Sequence, residues 1–303
     1  MTVLETTLSS SVTTPSKPEA TQRDRVVARV VAAAKGALGK RDVEAILESG
    51  KITAPASGDL AIISTPGGLR FLQLSRLGES DNKEVFLAVN LETGDRVAMA
   101  FGRTALAAQK LQEETKIMIA GAGNGVFPVI DLFETEGKRL CILMPCAEGD
   151  LSEQDSLQVK EVAELAATLA DLHSKGIAHK DIKRDNFFLL GGKPLLADFG
   201  ESVRAMNVEE LIFALGCKAD TRGFAVLAIY LLTSPEYRDS IAAGFRDSAP
   251  SFIKPVEYER AIDLLPVSAE LKDVLKRVQP KNKETYPTME ELATALRTEA
   301  LRV

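Results

Sequence analysis

His179-Lys180-Asp181-Ile182-Lys183-Arg184-Asp185-Asn186, followed downstream by Asp198-Phe199-Gly200, is the stretch around which this chain is organised. Asp181 and Asn186 sit in a segment too polar and irregular for a helix interior. Phe187-Phe188-Leu189-Leu190 reads as a short apolar strand, and Gly191-Gly192-Lys193-Pro194 carries a turn signal. Leu195-Leu196-Ala197 is a second short strand that delivers Asp198 at its end. A strand–turn–strand unit therefore brings Asp181, Asn186 and Asp198 together. Two carboxylates and an amide oxygen are hard ligands, the set suited to Mg²⁺ bridging phosphates.

Working outward, 303 residues suit one two-lobed domain with an extension, or two small domains. A 45% apolar content supplies a core, and the net charge of −6 is spread out, which argues against a nucleic-acid footprint. Cys141, Cys146 and Cys217 show no metal-ligand spacing and read as reduced thiols in a cytosolic setting. No apolar run approaches the roughly 18 residues that span a bilayer. The N-terminus lacks the basic-then-apolar layout of a secretory signal. His173 and His179 have no metal partners in the pattern, which favours structural roles.

Residues 1–22 are rich in Thr and Ser and poor in large apolar residues, the composition of a disordered tail or of a non-cleaved export signal. Residues 23–59 form a helical extension. Val26, Val27, Val30, Val31 and Ala34 repeat at helical spacing, and Asp42 opens a second helix through Leu47. This segment is expected to pack on the smaller lobe or to dock a partner. From Leu60 the period becomes that of strands: 61–63 and 69–74, 85–89 and 96–100, then 129–133 and 140–144, with a helix over 105–120. These residues predict a five-stranded antiparallel sheet with one helix. A long amphipathic helix over 157–174 leads into the central loop, and the chain beyond Gly200 is mostly helical.

The central stretch resembles the catalytic loop and metal-binding motif of eukaryotic-type Ser/Thr protein kinases, H-R-D-L-x-x-x-N followed by D-F-G. The resemblance covers about residues 70–298. It implies an α+β bilobal kinase fold, with a small antiparallel-sheet N-lobe over 60–144 and a hinge and helical C-lobe over 145–303. It also implies ATP and Mg²⁺ as cofactors and a protein substrate. On that likeness Asp181 is the catalytic base, Lys183 neutralises charge on the moving phosphoryl group, and Asn186 and Asp198 hold Mg²⁺. Leu77, Val85 and Ala98 match positions that sandwich the adenine, Met144 the gatekeeper, and Ala147 a hinge donor, since Pro145 has no N–H.

The phosphate-binding end departs from the family. Of the glycine-rich loop only Gly78 is kept in Leu77-Gly78-Glu79-Ser80-Asp81-Asn82-Lys83-Glu84-Val85, and three acidic residues stand where phosphates approach. The strand lysine is replaced by Ala100 in Val97-Ala98-Met99-Ala100, while Glu114, or its neighbour Glu113, stands where the partner glutamate belongs. A buried glutamate without a cation is costly. Kinases of the with-no-lysine type carry their lysine at the last glycine position, which here is Lys83. Three readings follow: Lys83 replaces the missing lysine; the chain is a pseudokinase that binds a partner or nucleotide without turnover; or Ala100 stands for a natural lysine in a disabled variant.

The segment after Gly200 is short and lacks the A-P-E motif, and Tyr286 takes the place of the arginine that normally pairs with it. Asp220 resembles the aspartate that opens the next family helix and holds the catalytic-loop backbone. Lys180 replaces the arginine that reads a phosphorylated loop. Regulation by loop phosphorylation is therefore not expected; constitutive activity or an activating protein partner is. Similarly compact segments occur in bacterial effector kinases, so the expected setting is a cytoplasm, either the cell's own or that of a host.

Overall fold

A computed structural model describes residues 21–36, 38–49, 60–154, 156–241, 245, 253–279 and 285–303. Of the expected tail over 1–22, residues 1–20 lie outside the described residues, as does the end of the extension over 50–59; Thr21 and Gln22 belong instead to the start of the first helix.

The extension forms two helices, α1 (Gln22–Ala33) and α2 (Lys40–Ser49). Thr21 and Asp24 close a capping box at the start of α1, which satisfies donors that a helix end otherwise leaves unpaired. The apolar faces of α1 and α2 do not face water. Val26, Val30, Val43 and Ile46 pack with Leu72, Leu74, Leu87 and Val89 of the neighbouring sheet, and Cys146 lies against the same cluster. Arg29 donates to the Thr93 carbonyl and pairs with Asp95, tying α1 to a turn of the sheet.

That sheet contains β1 (Ala61–Ser64), β2 (Arg70–Glu79), β3 (Lys83–Asn90), β4 (Arg96–Gly102), β5 (Asp131–Glu134) and β6 (Leu140–Pro145). Its order is β1-β2-β3-β4-β6-β5, with every pair antiparallel. All six runs that read as strands are present, in one sheet of six where a five-stranded sheet was expected: Ala61–Ser64 pairs in register with Arg70–Gln73 as the edge strand. Helix α3 (Ala105–Gly121), capped by Thr104, packs beside β4.

The second lobe is built on α4 (Val159–Ser174) and α5 (Glu210–Leu232), with α6 (Pro255–Asp263), α7 (Ala269–Arg277) and α8 (Met289–Ala300) around them. Leu165, Leu169 and Leu172 of α4 pack with Phe224 and Leu227 of α5 and Leu296 of α8 in one core. Small ladders complete it: β7 (Ile177–Ala178) pairs with β10 (Val203–Arg204), and β8 (Phe187–Leu190) with β9 (Lys193–Leu196). The helix expected to open near Asp220 instead starts at Glu210 and runs unbroken through Leu232. Gly216 permits this: a Cβ there would lie 2.9 Å from Ala178 Cβ, so the absence of a side chain lets α5 pass directly beneath the central loop. Among the described residues, no helix is long and apolar enough to cross a membrane.

Candidate active site

The β8–β9 hairpin does what its sequence implies. Gly191 and Gly192 adopt positive φ (60° and 73°), the backbone of a tight two-residue turn. The hairpin closes on the central loop through Ala197 N–H to Asn186 O at 2.8 Å. The loop itself hangs on a buried carboxylate. Asp220, fully buried in α5, accepts from His179 N–H at 2.7 Å and Lys180 N–H at 2.6 Å, and its Oδ2 lies 3.0 Å from His173 Nε2. These contacts hold Lys180 at φ 70°, in the left-handed region that a side-chain-bearing residue adopts at a cost. Asp198 is likewise left-handed, at φ 57°.

His179 is buried between the loop and the next strand. Its Nε2 is 2.9 Å from the Ala197 carbonyl, and Asp181 N–H donates to Nδ1 at 3.3 Å. One ring nitrogen therefore donates and the other accepts, which is the neutral tautomer. Burial pushes its pKa below the ordinary histidine value, against the pull of Asp220. Its ring meets Phe199 edge-on with centroids 4.7 Å apart, so the loop and Asp198-Phe199-Gly200 pack as one unit.

Asp181 is half-buried. Burial works to raise its pKa, but hydrogen bonds from Lys183 Nζ (2.8 Å) and Asn186 Nδ2 (3.0 Å) outweigh that and hold it below the ordinary carboxylate value. The bond to Asp181 in turn raises Lys183. Asn186 is 3% exposed, and its Nδ2 also donates to the Asp181 carbonyl at 2.8 Å. The side-chain oxygen of Asn186 is thus the atom left to meet a cation. Asn186 and Lys183 stand behind Asp181 and are not among the residues lining the two clefts described next.

The first cleft, about 550 Å³, lies between the lobes. Leu77, Gly78, Val85, Ala98, Met144 and Ala147 all line it, as do Ala100, Lys83, Glu114 and Asp198. The second, also about 550 Å³, opens between α3 and Phe199–Ser202 and is lined by Asp181, Lys83, Glu114 and Asp198. The two clefts meet at one ion cluster. Lys83 Nζ is 3.0 Å from Glu114 Oε1 and 2.7 Å from Asp198 Oδ1. Burial disfavours the charged amine, yet the two carboxylates win and raise its pKa above the ordinary lysine value. Glu114, 9% exposed, is itself raised by burial, with Lys83 pulling the other way. Glu113 points elsewhere, to Lys116 at 2.6 Å. Ala100 is buried and lies opposite Val85 in the sheet.

In place of a flexible glycine loop, β2 and β3 join in a tight hairpin. Ser80 N–H donates to the Lys83 carbonyl at 2.8 Å. On its outer side Arg76 pairs with Glu79, Arg139 pairs with Glu84, and Arg139 stacks over the Phe101 ring at 4.6 Å. Past Gly200 the chain makes two short turns and the β10 strand before α5 begins. Tyr286 OH donates to the Lys218 carbonyl at 3.1 Å, a neutral link where the family has an ion pair.

Comparison with known proteins agrees with this architecture. The protein kinase domain model matches residues 71–225. The serine/threonine-protein kinase pkn2 of Myxococcus xanthus is 27% identical over 267 residues, covering 75% of this chain and 32% of that protein. Serine/threonine-protein kinase 36 of Pongo abelii is 30% identical over 152 residues, 46% of this chain and 11% of that protein. Serine/threonine-protein kinase PknD of Chlamydia trachomatis is 27% identical over 160 residues, 44% of this chain and 17% of that protein. This chain belongs to the eukaryotic-type Ser/Thr protein kinase family. It spans about a third or less of the length of these curated relatives.

Sequence reasoning missed three contributors to the site. His173 does not stand out as a partner of Asp220, because the two are distant in sequence. Gly216, and Gly102 where a Cβ would lie 2.6 Å from the backbone of Ala108, do not stand out as contact points, because an isolated glycine in a helix or strand signals nothing about what approaches it. A small residue within an otherwise apolar helix is the one signal that could have flagged Gly216.

Proposed function

We propose that this chain transfers the γ-phosphoryl group of ATP to a Ser or Thr hydroxyl of a protein, with Lys83 in the role of the missing strand lysine. The observation that carries this reading is the single ammonium of Lys83 shared between Glu114 and Asp198, at 3.0 and 2.7 Å. A solvated loop lysine would have no reason to be drawn between two carboxylates at the meeting point of two clefts. In this reading the adenine lies among Leu77, Val85, Ala98 and Met144, and Lys83 contacts the phosphates. Asp181, held ionised by Lys183 and Asn186, orients the acceptor hydroxyl and takes its proton. Lys183, beside Asp181, offsets charge on the moving phosphoryl group. Asp198 and Asn186 present oxygen donors of the kind Mg²⁺ takes, and would hold it; bound there, Mg²⁺ supplies charge neutralisation at the phosphates.

The short segment after Gly200 offers little platform for an extended peptide, which supports a folded protein substrate and control by a bound partner in place of loop phosphorylation. Cys141, Cys146 and Cys217 are free, in keeping with a reducing cytoplasm as the place of action. The competing reading, a binding module without turnover, draws on Glu79, Asp81 and Glu84 around the phosphate end.

Transfer of labelled phosphate from ATP with Mg²⁺ separates the two readings. Transfer by this chain that vanishes in Lys83→Ala and in Asp198→Ala is the expected result. Silence from this chain with strong transfer by Ala100→Lys would instead mark a kinase whose strand lysine has been lost.

A further inference from the structure

Moving the lysine from β4 to β3 creates a problem of reach. Helix α3, which carries Glu114, packs beside β4, and β3 lies one strand further away. Neighbouring strands are about 4.8 Å apart. Opposed residues of an antiparallel pair share a sheet face. Lys83 is opposed to Gly102, and Val85 to Ala100, so the side chain of Lys83 must cross the face occupied by positions 100 and 102 of β4. A methyl group stands at the first and nothing at the second.

Gly102 has a second reason to lack a side chain. A Cβ there would lie 2.6 Å from both the Cα and the N of Ala108, in the first turn of α3. These are backbone atoms, so α3 itself would have to move, and Glu114 two turns along would move with it. The residue after Gly102 then fastens the hairpin. Arg103 N–H donates to the Asn82 carbonyl at 3.1 Å, and Arg103 Nη1 to the Ser80 carbonyl at 3.2 Å, with Glu79 at 3.8 Å. Both carbonyls belong to the turn that leads into Lys83.

We infer that Gly102 is the positioning residue of the displaced lysine, with Arg103 as its latch: the bare backbone at 102 lets Lys83 reach Glu114, and the Arg103 guanidinium sets the turn from which Lys83 starts. The inference rests on Lys83 being the phosphate-contacting lysine.

The test compares kcat, KM for ATP, and acylation of Lys83 by an acyl-phosphate derivative of ATP, read by peptide mass spectrometry. In Gly102→Ala, Lys83 acylation should fall and kcat/KM should drop by at least about tenfold, the scale of one charge-assisted hydrogen bond. Amide exchange in the 179–186 loop should stay native, separating a positioning role from general damage. Arg103→Met, which has no donor for Ser80, should act in the same direction through KM, and Arg103→Lys, which keeps one, should recover most of the loss. If Gly102→Ala fails to fold, the Arg103 pair decides. Native acylation and turnover in Gly102→Ala and Arg103→Met, beside an inactive Lys83→Ala, would overturn the positioning role alone. Full turnover by Lys83→Ala would overturn the lysine assignment and this inference with it.

Discussion

The two ends of the cleft are built on opposite plans. At the catalytic-loop end, buried groups with several partners each hold the chemistry in place: Asp220 takes two backbone N–H groups and His173, and His179 is hydrogen-bonded through both ring nitrogens. At the phosphate end, ion pairs on a hairpin do the holding, with half-exposed Arg76, Arg103 and Arg139 set against half-exposed Glu79 and the more buried Glu84. Buried polar networks are expensive to break, whereas exposed pairs are worth little. The motif is kept where each residue has many obligations. It is rewritten where a different lysine, supplied from a neighbouring strand, can reach the same point.

The largest test of this contrast is Asp181→Asn, which keeps shape and removes the base. Phosphoryl transfer should fall by about 10² to 10⁴-fold, the range for a positioned general base, with ATP affinity little changed. A loss under tenfold would mean that the proton leaves by another route, and the catalytic-loop end would lose its special standing. Asp220→Asn probes the same end through structure. An amide offers one acceptor where the carboxylate serves two N–H groups and a histidine, so a buried donor goes unpaired at a cost of about 1–3 kcal/mol. Chemical denaturation should show that loss, and turnover should fall with it because Lys180 is no longer held at positive φ.

The catalytic-loop end was legible in the sequence for a physical reason. His179, Asp181, Asn186 and the glycine turn are close in the chain, so local order alone puts them side by side. The phosphate end was legible only by likeness, since Lys83, Glu114 and Asp198 meet across three separate elements. The edge strand was legible too, because Ala61-Ile62-Ile63 and residues 69–74 flank a Pro-Gly-Gly turn and read as a hairpin. That residues 210–218 and the helix at Asp220 form one unbroken element was not legible, because Gly216 reads as a break until its close approach to Ala178 and Lys180 is known. The docking face of the extension was legible only as one of two alternatives, the smaller lobe or a partner, since an amphipathic helix announces that it has a partner but not which one.

Acid should act on the catalytic-loop end first. Burial holds the His179 pKa below its ordinary value. The folded protein keeps the ring neutral, whereas an unfolded chain takes a proton near pH 6.5. The stability this ring contributes is therefore complete above about pH 6.5 and is lost as pH falls through the lower, folded value. Hydrogen exchange at the Asp181 amide, which donates to Nδ1, should quicken below that point. An exchange rate that tracks only intrinsic chemistry from pH 7 to pH 5 would remove His179 as a pH-dependent strut.

The smallest expected effect lies at the other end, and there the comparison is most exposed to refutation. Glu84 pairs with Arg139 and sits 3.8 Å from Arg76, and these two arginines lie over the rings of Phe101 and Phe86 at 4.6 and 5.5 Å. Glu84→Gln keeps the shape and removes the charge. If surface pairing is all that holds the hairpin, thermal unfolding should report no more than about 1 kcal/mol, and turnover should fall only as far as the Lys83 turn loosens, through KM for ATP and not kcat. A loss of several kcal/mol would mean that the arginines and phenylalanines act as one rigid layer. The phosphate end would then be as firmly built as the catalytic loop, and its departure from the family would have to be explained by what the rigid hairpin recognises, since looseness would no longer account for it.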